Sequence, residues 1–508
     1  MTNTTNLFWN NYRYFPYEKN LAHREIETLL QPENVQFTPQ GIRLKGNLNE
    51  THLNRLAYFQ KYSVNGKVFD TLQHKLESTC IKTGRQNRQS TRYSVHGIHE
   101  YKGKFNPQIV RAILNILNIQ INSNIIDPFC GSGTTLVECS HTNVRALGCD
   151  INPMAVFISN AKIQALSVPF ELLDNYLEQV VSAFRSSQEK NFIRNNQTIR
   201  ENYLSKWFTE NIFLEIELLK TLIEDIGKNT KNIFLAIASD FLREYSLQEP
   251  FDLRIRRRKS PLPEKPFIDE FYLKAKSFIE NLKLTQVIIG VREQPNYAYL
   301  CDSRKIVTES KNKIFTPIYD AAITSPPYAT ALPYIDTQRL SLVWLGLISP
   351  DEIRNLDAEL TGSREFSTKQ KSLWQNNLFL NHNQLTENVY EFCQLLENAV
   401  DDDDGFRRQA VPSLMYRYFS DMKDVFRNIH RLVKSGAPFA LVVGHNQTTL
   451  GGKIFNIDTP ELLKEVAVSC GWQHEESIPL QTYQRYGLHS ANSVKAETLL
   501  ILRKHDQL

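Results

Sequence analysis

An α/β fold built on a mostly parallel sheet of seven strands, interrupted by a helical insertion, is what this 508-residue sequence predicts. Three observations carry the prediction. Short apolar runs recur that each stop on a polar residue, the pattern of strands buried on both faces whose carboxyl ends meet a ligand. Helix-like sequence follows these runs. From Ala165 to Leu284 the periodicity turns purely helical.

The elements follow in chain order. Residues 1–90 are set apart as an N-terminal region, and 91–164 as the first part of the core. There "NIIDPF" stops at Asp127 and "VRALGCD" at Asp150. The insertion, 165–284, holds "ELLDNYLEQVVSAF", "LSKWFTENIFLEIELLKTLIEDI" and "NIFLAIASDFLREY", with no strand expected until "TQVIIG". The second part of the core, 285–359, has "YAYLCD" ending at Asp302 and "YDAAITS" ending at Ser325. The span 360–412 is polar, rich in Asn and Gln, and includes Asp401 to Asp404; it reads as loop with one helix, "NVYEFCQLLENAV". In 413–508, helices at Met415 to Val433 and Pro460 to Cys470 flank "PFALVVGHN", and "QHEESIPLQT" and "AETLLILRK" read as a closing antiparallel pair.

Composition narrows the class. With 41% hydrophobic and 22% charged residues the chain is globular, and its length calls for more than one core. No apolar run approaches a membrane span, and the N-terminus lacks the basic and apolar regions of an export signal. The seven cysteines are scattered and include no CxxC, which reads as reduced thiols in a cytoplasmic protein. The net charge of +4 names no partner, but its distribution does more. From Ser78 to His99 there is no acid, while Lys82, Arg85, Arg88 and Arg92 supply cations. A second block, "RIRRRK", runs from Arg254 to Lys259. Either block is a solvated face or a seat for a polyanion.

"DPFCGSGTTLVEC" sets Gly131 and Gly133 directly after a strand and before a helix, where backbone at positive φ lets a flat ligand approach. A dinucleotide loop wants GxGxxG, but Leu136 stands at the sixth position and Asp127 would repel a pyrophosphate. A cationic, phosphate-free nucleoside suits that acid better, and S-adenosyl-L-methionine is one. Asp150 follows the next strand at the spacing of an acid that grips ribose hydroxyls, and Asp302 ends a third strand, in reach of an adenine amino group. Each of these acids alone is more often a helix cap, but three at successive strand ends favour a nucleoside site.

"ITSPPYATALPY", Ile323 to Tyr334, leaves its strand through two prolines that forbid both ladder bonding and a helix start. Together with Phe129-Cys-Gly-Ser-Gly133 it carries a resemblance. The chain resembles the DNA amino-methyltransferases, through their FxGxG motif and, at Ser325-Pro-Pro-Tyr328, their SPPY motif. "VHGIHEYKGKFNPQIV", Val95 to Val110, which includes Phe105, is similar to the family segment that packs on the cofactor's methionine end. The resemblance implies a Rossmann-like, S-adenosylmethionine-dependent methyltransferase fold. It implies cofactor contacts from Phe105, Asp127, Phe129, Gly131, Gly133, Asp150 and Asp302. It further implies that Ser325 Oγ and the Pro326 carbonyl accept the N–H bonds of a target amine, held rigid by Pro327, while Tyr328 stacks on a base flipped from the duplex. Ser at the first position is typical of family members acting on N4 of cytosine. The expected activity is site-specific methylation of double-stranded DNA that protects it from a partner restriction endonuclease.

Rival chemistries fare worse. Methylation at cytosine C5 needs a Pro-Cys pair, and none exists. Zinc deamination wants PCxxC; His96 and His99 have no such partner and read as structural or DNA-facing, with no metal expected. N6-adenine methylation, methylation of structured RNA, and a non-catalytic cofactor-responsive DNA-binding module remain alternatives. Phosphate contacts are expected from Lys82, Arg85, Arg88 and Arg92, with base reading from 360–412 and the N-terminal region. The insertion is left as a DNA-reading, packing or dimerising unit.

Overall fold

The computed structural model describes residues 4–80, 89–187, 198–252, 255–293, 296–306, 318–329, 334–366, 368–481 and 496–505. Strands β1 (Thr4–Trp9), β2 (Asn34–Thr38), β3 (Gly41–Lys45), β4 (Phe59–Val64) and β5 (Lys67–Asp70) form an antiparallel N-terminal sheet in the order β2-β3-β1-β4-β5. The central sheet uses β6 (Asn124–Asp127), β7 (Arg145–Asp150), β8 (Tyr297–Leu300), β9 (Ala321–Thr324) and β10 (Pro438–Gly444). After a hairpin of β11 (Asn446–Leu450) and β12 (Lys453–Ile457), β13 (Trp472–Gln481) and β14 (Ala496–Lys504) complete it. Its order is β13-β14-β10-β9-β6-β7-β8. Strands β8, β7, β6, β9 and β10 run parallel, and β14 enters antiparallel between β10 and β13. This is the expected Rossmann-like methyltransferase sheet.

Side-chain alternation explains why these runs are strands. Ile125, Ala321, Ile323, Ala440 and Val442 face one apolar core, whereas Ile126, Ala322, Phe439, Leu441 and Val443 face the other. Period two with apolar residues on both sides buries a strand in the middle of a three-layer sandwich. Helices Pro107–Ile116, Thr134–His141 and Pro153–Ser167 cover the first face, and Val411–Leu432 and Thr459–Val468 the second. Asparagine caps start two of these helices before a first-turn proline: Asn106 accepts from Gln108 N at 2.9 Å, and Asn152 from Met154 N at 3.0 Å.

The chain runs β6, β7, β8 toward one edge and then returns to place β9 beside β6. The order therefore reverses between β6 and β9, and a crevice opens there outside the carboxyl ends of the strands. The glycine loop leaves β6 and the SPPY segment leaves β9, so the two motifs flank that crevice.

The insertion is helical as expected, with helices Phe170–Ser187, Glu210–Gly227, Lys231–Asp240 and Phe267–Ile289. The last of these corrects one expectation. "TQVIIG" is not a strand but the end of that helix, because Phe271, Ala275, Phe278, Ile279, Leu282, Thr285 and Ile289 bury one stripe at three- and four-residue spacing. Packing of that stripe overrides the β-branched composition. The span 360–412 is likewise more helical than its composition suggested, with helices Thr368–Leu380 and Glu387–Asn398. Among the described residues no helix is long and apolar enough to cross a membrane, and all seven cysteines are free thiols.

Candidate active site

The glycine loop is built for close approach. Gly131 and Gly133 adopt φ of +49° and +76°, and a Cβ on Gly133 would meet Ser159 Oγ at 2.8 Å. Ser159 Oγ itself donates to Gly131 O at 2.8 Å, and the buried Lys162 Nζ donates to Ser132 O at 2.7 Å, so the turn is held from beneath. Above it the Tyr101 ring lies 3.5 Å from where a Gly131 Cβ would stand. The loop is thus a narrow slot with one aromatic wall.

Two carboxylates flank the slot. Asp150 Oδ2 accepts from Gly131 N at 2.9 Å and Oδ1 from Asn152 N at 2.9 Å. Asp127 Oδ1 accepts from Phe129 N at 3.1 Å and from Thr324 Oγ1 at 2.6 Å. The second bond ties the end of β6 to the end of β9, one residue before Ser325. Burial raises both acids to about 6, against the hydrogen bonds that favour their charged forms. Carboxyls raised in this way fit a ligand that brings its own positive charge.

The SPPY segment sits directly across the crevice. Ser325 Oγ donates to Val442 O at 3.1 Å, which leaves its lone pairs able to accept. Pro326 is buried, while Ser325, Pro327 and Tyr328 are half-buried. The Tyr328 hydroxyl donates to the Glu497 carboxylate on β14, and Asn446 Nδ2 donates to Ala329 O at 2.8 Å. The segment is pinned at both ends by groups of the neighbouring strands.

The family described as "DNA methylase" matches residues 8–161, and the family "D12 class N6 adenine-specific DNA methyltransferase" matches 102–245. The Type II methyltransferase M.BsoBI of Geobacillus stearothermophilus is 24% identical over 84% of this chain and 89% of that protein. M.MvaI of Kocuria varians is 27% identical over 58% of this chain and 68% of its own length. M.MjaII of Methanocaldococcus jannaschii is 31% identical over 35% of this chain, a match that spans only 33% of that protein.

The chain is similar to DNA amino-methyltransferases over these matched stretches. Its methyl donor is S-adenosyl-L-methionine, and the slot fits that group: an open backbone turn, a buried and a half-buried acid and an aromatic wall would suit a cationic nucleoside. Several other expected residues take definite positions. Phe129 is half-buried against the core beneath the helix Val411–Leu432, and Phe105 against the opposite core. Asp302 lies two residues beyond β8, where Arg304 grips its carboxylate through Nε and Nη2 at 2.9 Å each. Burial alone would raise Asp302, but Arg304 holds it below the usual carboxylate range. Arg304 also reaches Asp421 Oδ1 at 3.2 Å, so Asp302 belongs to an ion network with the helix Val411–Leu432. That engagement competes with any contact to an adenine amino group.

Of the four expected phosphate contacts, Lys82, Arg85 and Arg88 lie outside the described residues. Arg92 is exposed and approaches Glu100 at 3.8 Å. In the second basic block Arg257 donates to Lys206 O at 2.7 Å and stacks on Trp207, while Arg258 donates to the carbonyls of Ser246 and Pro261. These two arginines fasten their own loop.

His96 is part of a buried hub. Its Nε2 lies 2.8 Å from Glu138 Oε1, with His141 Nδ1 3.2 Å from the same oxygen. The Arg111 guanidinium donates to Glu138 Oε2 at 2.8 Å, so the charge a metal would neutralise is already matched. Burial holds His96 well below its ordinary range. His99 meets Asp240 of the insertion at 3.6 Å. Sequence reading missed Tyr101, Asn152, Lys162 and Thr324. Asn152 had a usable signal, the Asn-Pro pair after Asp150 that marks a capped helix start. The other three become visible only when distant strands and helices meet.

Proposed function

We propose that the protein methylates N4 of cytosine in double-stranded DNA and protects a specific sequence from a partner restriction endonuclease. The observation that supports this reading is the Ser325 hydroxyl, which donates to Val442 O and so keeps its oxygen lone pairs able to accept. The exocyclic amine of cytosine is a weak nucleophile because its lone pair is shared with the ring. Ser325 Oγ and the Pro326 carbonyl accept its N–H bonds and favour the pyramidal form whose lone pair is free to attack. Diproline stiffness and the Asn446 and Glu497 contacts hold those acceptors still, so little reorganisation accompanies the reaction. Tyr328 offers a ring face to the extruded base. The bound cofactor supplies an electrophilic methyl on a sulfonium. The family profile over residues 8–161 and the Type II methyltransferase relatives support DNA as the substrate.

Methylation of adenine N6 is the second reading, favoured by the match of residues 102–245 to an adenine-specific family. A cofactor labelled in its methyl group, incubated with plasmid DNA and separately with total RNA, tests the substrate class. Label in DNA is expected, and label confined to RNA contradicts the proposal.

A further inference from the structure

The helical insertion reaches both halves of the site through one helix end. At the carboxyl terminus of Lys231–Asp240, the Ser239 carbonyl accepts from Ser341 Oγ at 2.9 Å. Ser341 lies on the helix Tyr334–Trp344, the first described element after the SPPY segment. The next residue, Asp240, turns the other way, and its Oδ1 accepts from Glu100 N at 2.6 Å. Glu100 precedes Tyr101, the aromatic wall over Gly131. Adjacent residues of one helix thus hold the cofactor wall and the helix behind the base clamp.

A second set of contacts fixes the far end of Tyr334–Trp344. The last carbonyls of a helix lack intrahelical partners and carry partial negative charge. Here Arg200 donates to Val343 O at 3.1 Å and Trp344 O at 2.7 Å, and Lys220 Nζ to Trp344 O at 3.0 Å. Arg200 is itself clamped by a bidentate pair with Glu217, both bonds 2.7 Å. Toward the cofactor slot, Gln338 of the same helix accepts from Asn152 Nδ2 at 2.8 Å, and the Asn152 backbone N–H in turn donates to Asp150.

We propose that the insertion is a brace that sets the distance between methyl donor and target amine, with Asp240 positioning the cofactor wall and Arg200 the clamp helix. This rests on the function proposed above. A unit that served only packing would require neither a buried hydroxyl bond at its helix end nor two cations on the carbonyls of one particular helix.

The test uses the full-length protein with Asp240→Ala, Asp240→Asn and the double variant Arg200→Ala/Glu217→Ala, which leaves no unpaired carboxylate behind. Cofactor affinity, single-turnover methyl transfer to DNA and the thermal midpoint are measured for each. Asp240→Ala is expected to weaken cofactor binding about tenfold and Asp240→Asn to restore it, since an amide oxygen still accepts the Glu100 N–H. The double variant is expected to keep cofactor affinity within about twofold while transfer slows about tenfold, the cost of a displaced acceptor. Wild-type affinity and rate in both sets overturn the brace, as does a parallel fall of affinity, rate and midpoint in every variant. If the wild-type protein binds cofactor but transfers nothing to DNA, the proposed function fails, and the Asp240 pair still decides the brace.

Discussion

Ser325 donates its proton to Val442 O, and that single bond turns a hydroxyl into an acceptor. Replacing it by alanine removes the acceptor without touching the glycine loop. Ser325→Ala is expected to slow methyl transfer about 10²-fold with cofactor affinity unchanged, measured by single turnover and by calorimetry. At Gly133, φ of +76° and the approach to Ser159 forbid a side chain. Gly133→Ala should cost about 1–2 kcal/mol of stability, read by denaturant titration, and weaken cofactor binding as the turn opens. Asp127 and Asp150 give a pH signature. Their folded pKa of about 6 lies above the unfolded value of 3.8, so their contribution to stability is full below the lower value and lost as pH rises through about 6. A cationic cofactor prefers the charged forms, so its affinity should rise with pH through that same window. The Asp150→Asn variant should show a shallower rise, and a flat wild-type titration would contradict the assignment. The glycines, Asp127, Asp150 and Ser325 were legible as residues because each stands at a strand end in a short motif. The Arg304 grip on Asp302 was not, since one partner of that network lies on a helix more than a hundred residues away.

Elements were legible where burial is two-sided. The runs ending at Asp127, Asp150, Thr324 and Gly444 have no polar residue in their middles, so apolar content alone marks them as central strands. The helix Phe267–Ile289 shows the failure mode: its last turn, rich in Val and Ile, reads as a strand until the stripe from Phe271 is followed through. Phe271 is fully buried on that stripe, with its ring centroid 6.4 Å from that of Phe234. Phe271→Ala should therefore cost about 3–5 kcal/mol in a denaturant titration. The N-terminal sheet escaped notice for a different reason. Its strands of four to six residues are half-exposed, and β2 has hardly a buried position to announce it.

At the scale of the whole molecule, sheet order does what no motif can. Because β9 returns to β6, loops that are almost two hundred residues apart in the chain meet through the Asp127–Thr324 bond. The sequence could announce both motifs, but only the sheet order brings them to opposite sides of one crevice. The insertion, opaque in the sequence, gains meaning from the same view, since it touches the elements on both sides. If the substrate is duplex DNA, affinity for it should fall steeply as salt rises, because phosphate contacts release counterions. Binding insensitive to salt would count against the basic stretch that contains Arg92. The most direct test of the central claim, an amine activated by two fixed oxygens, is nucleoside analysis of DNA methylated by the wild-type protein and by Ser325→Ala. The account predicts N4-methylcytosine from the first and a strongly reduced yield of it from the second. Methyl groups on cytosine C5, or an undiminished yield from the variant, would contradict it.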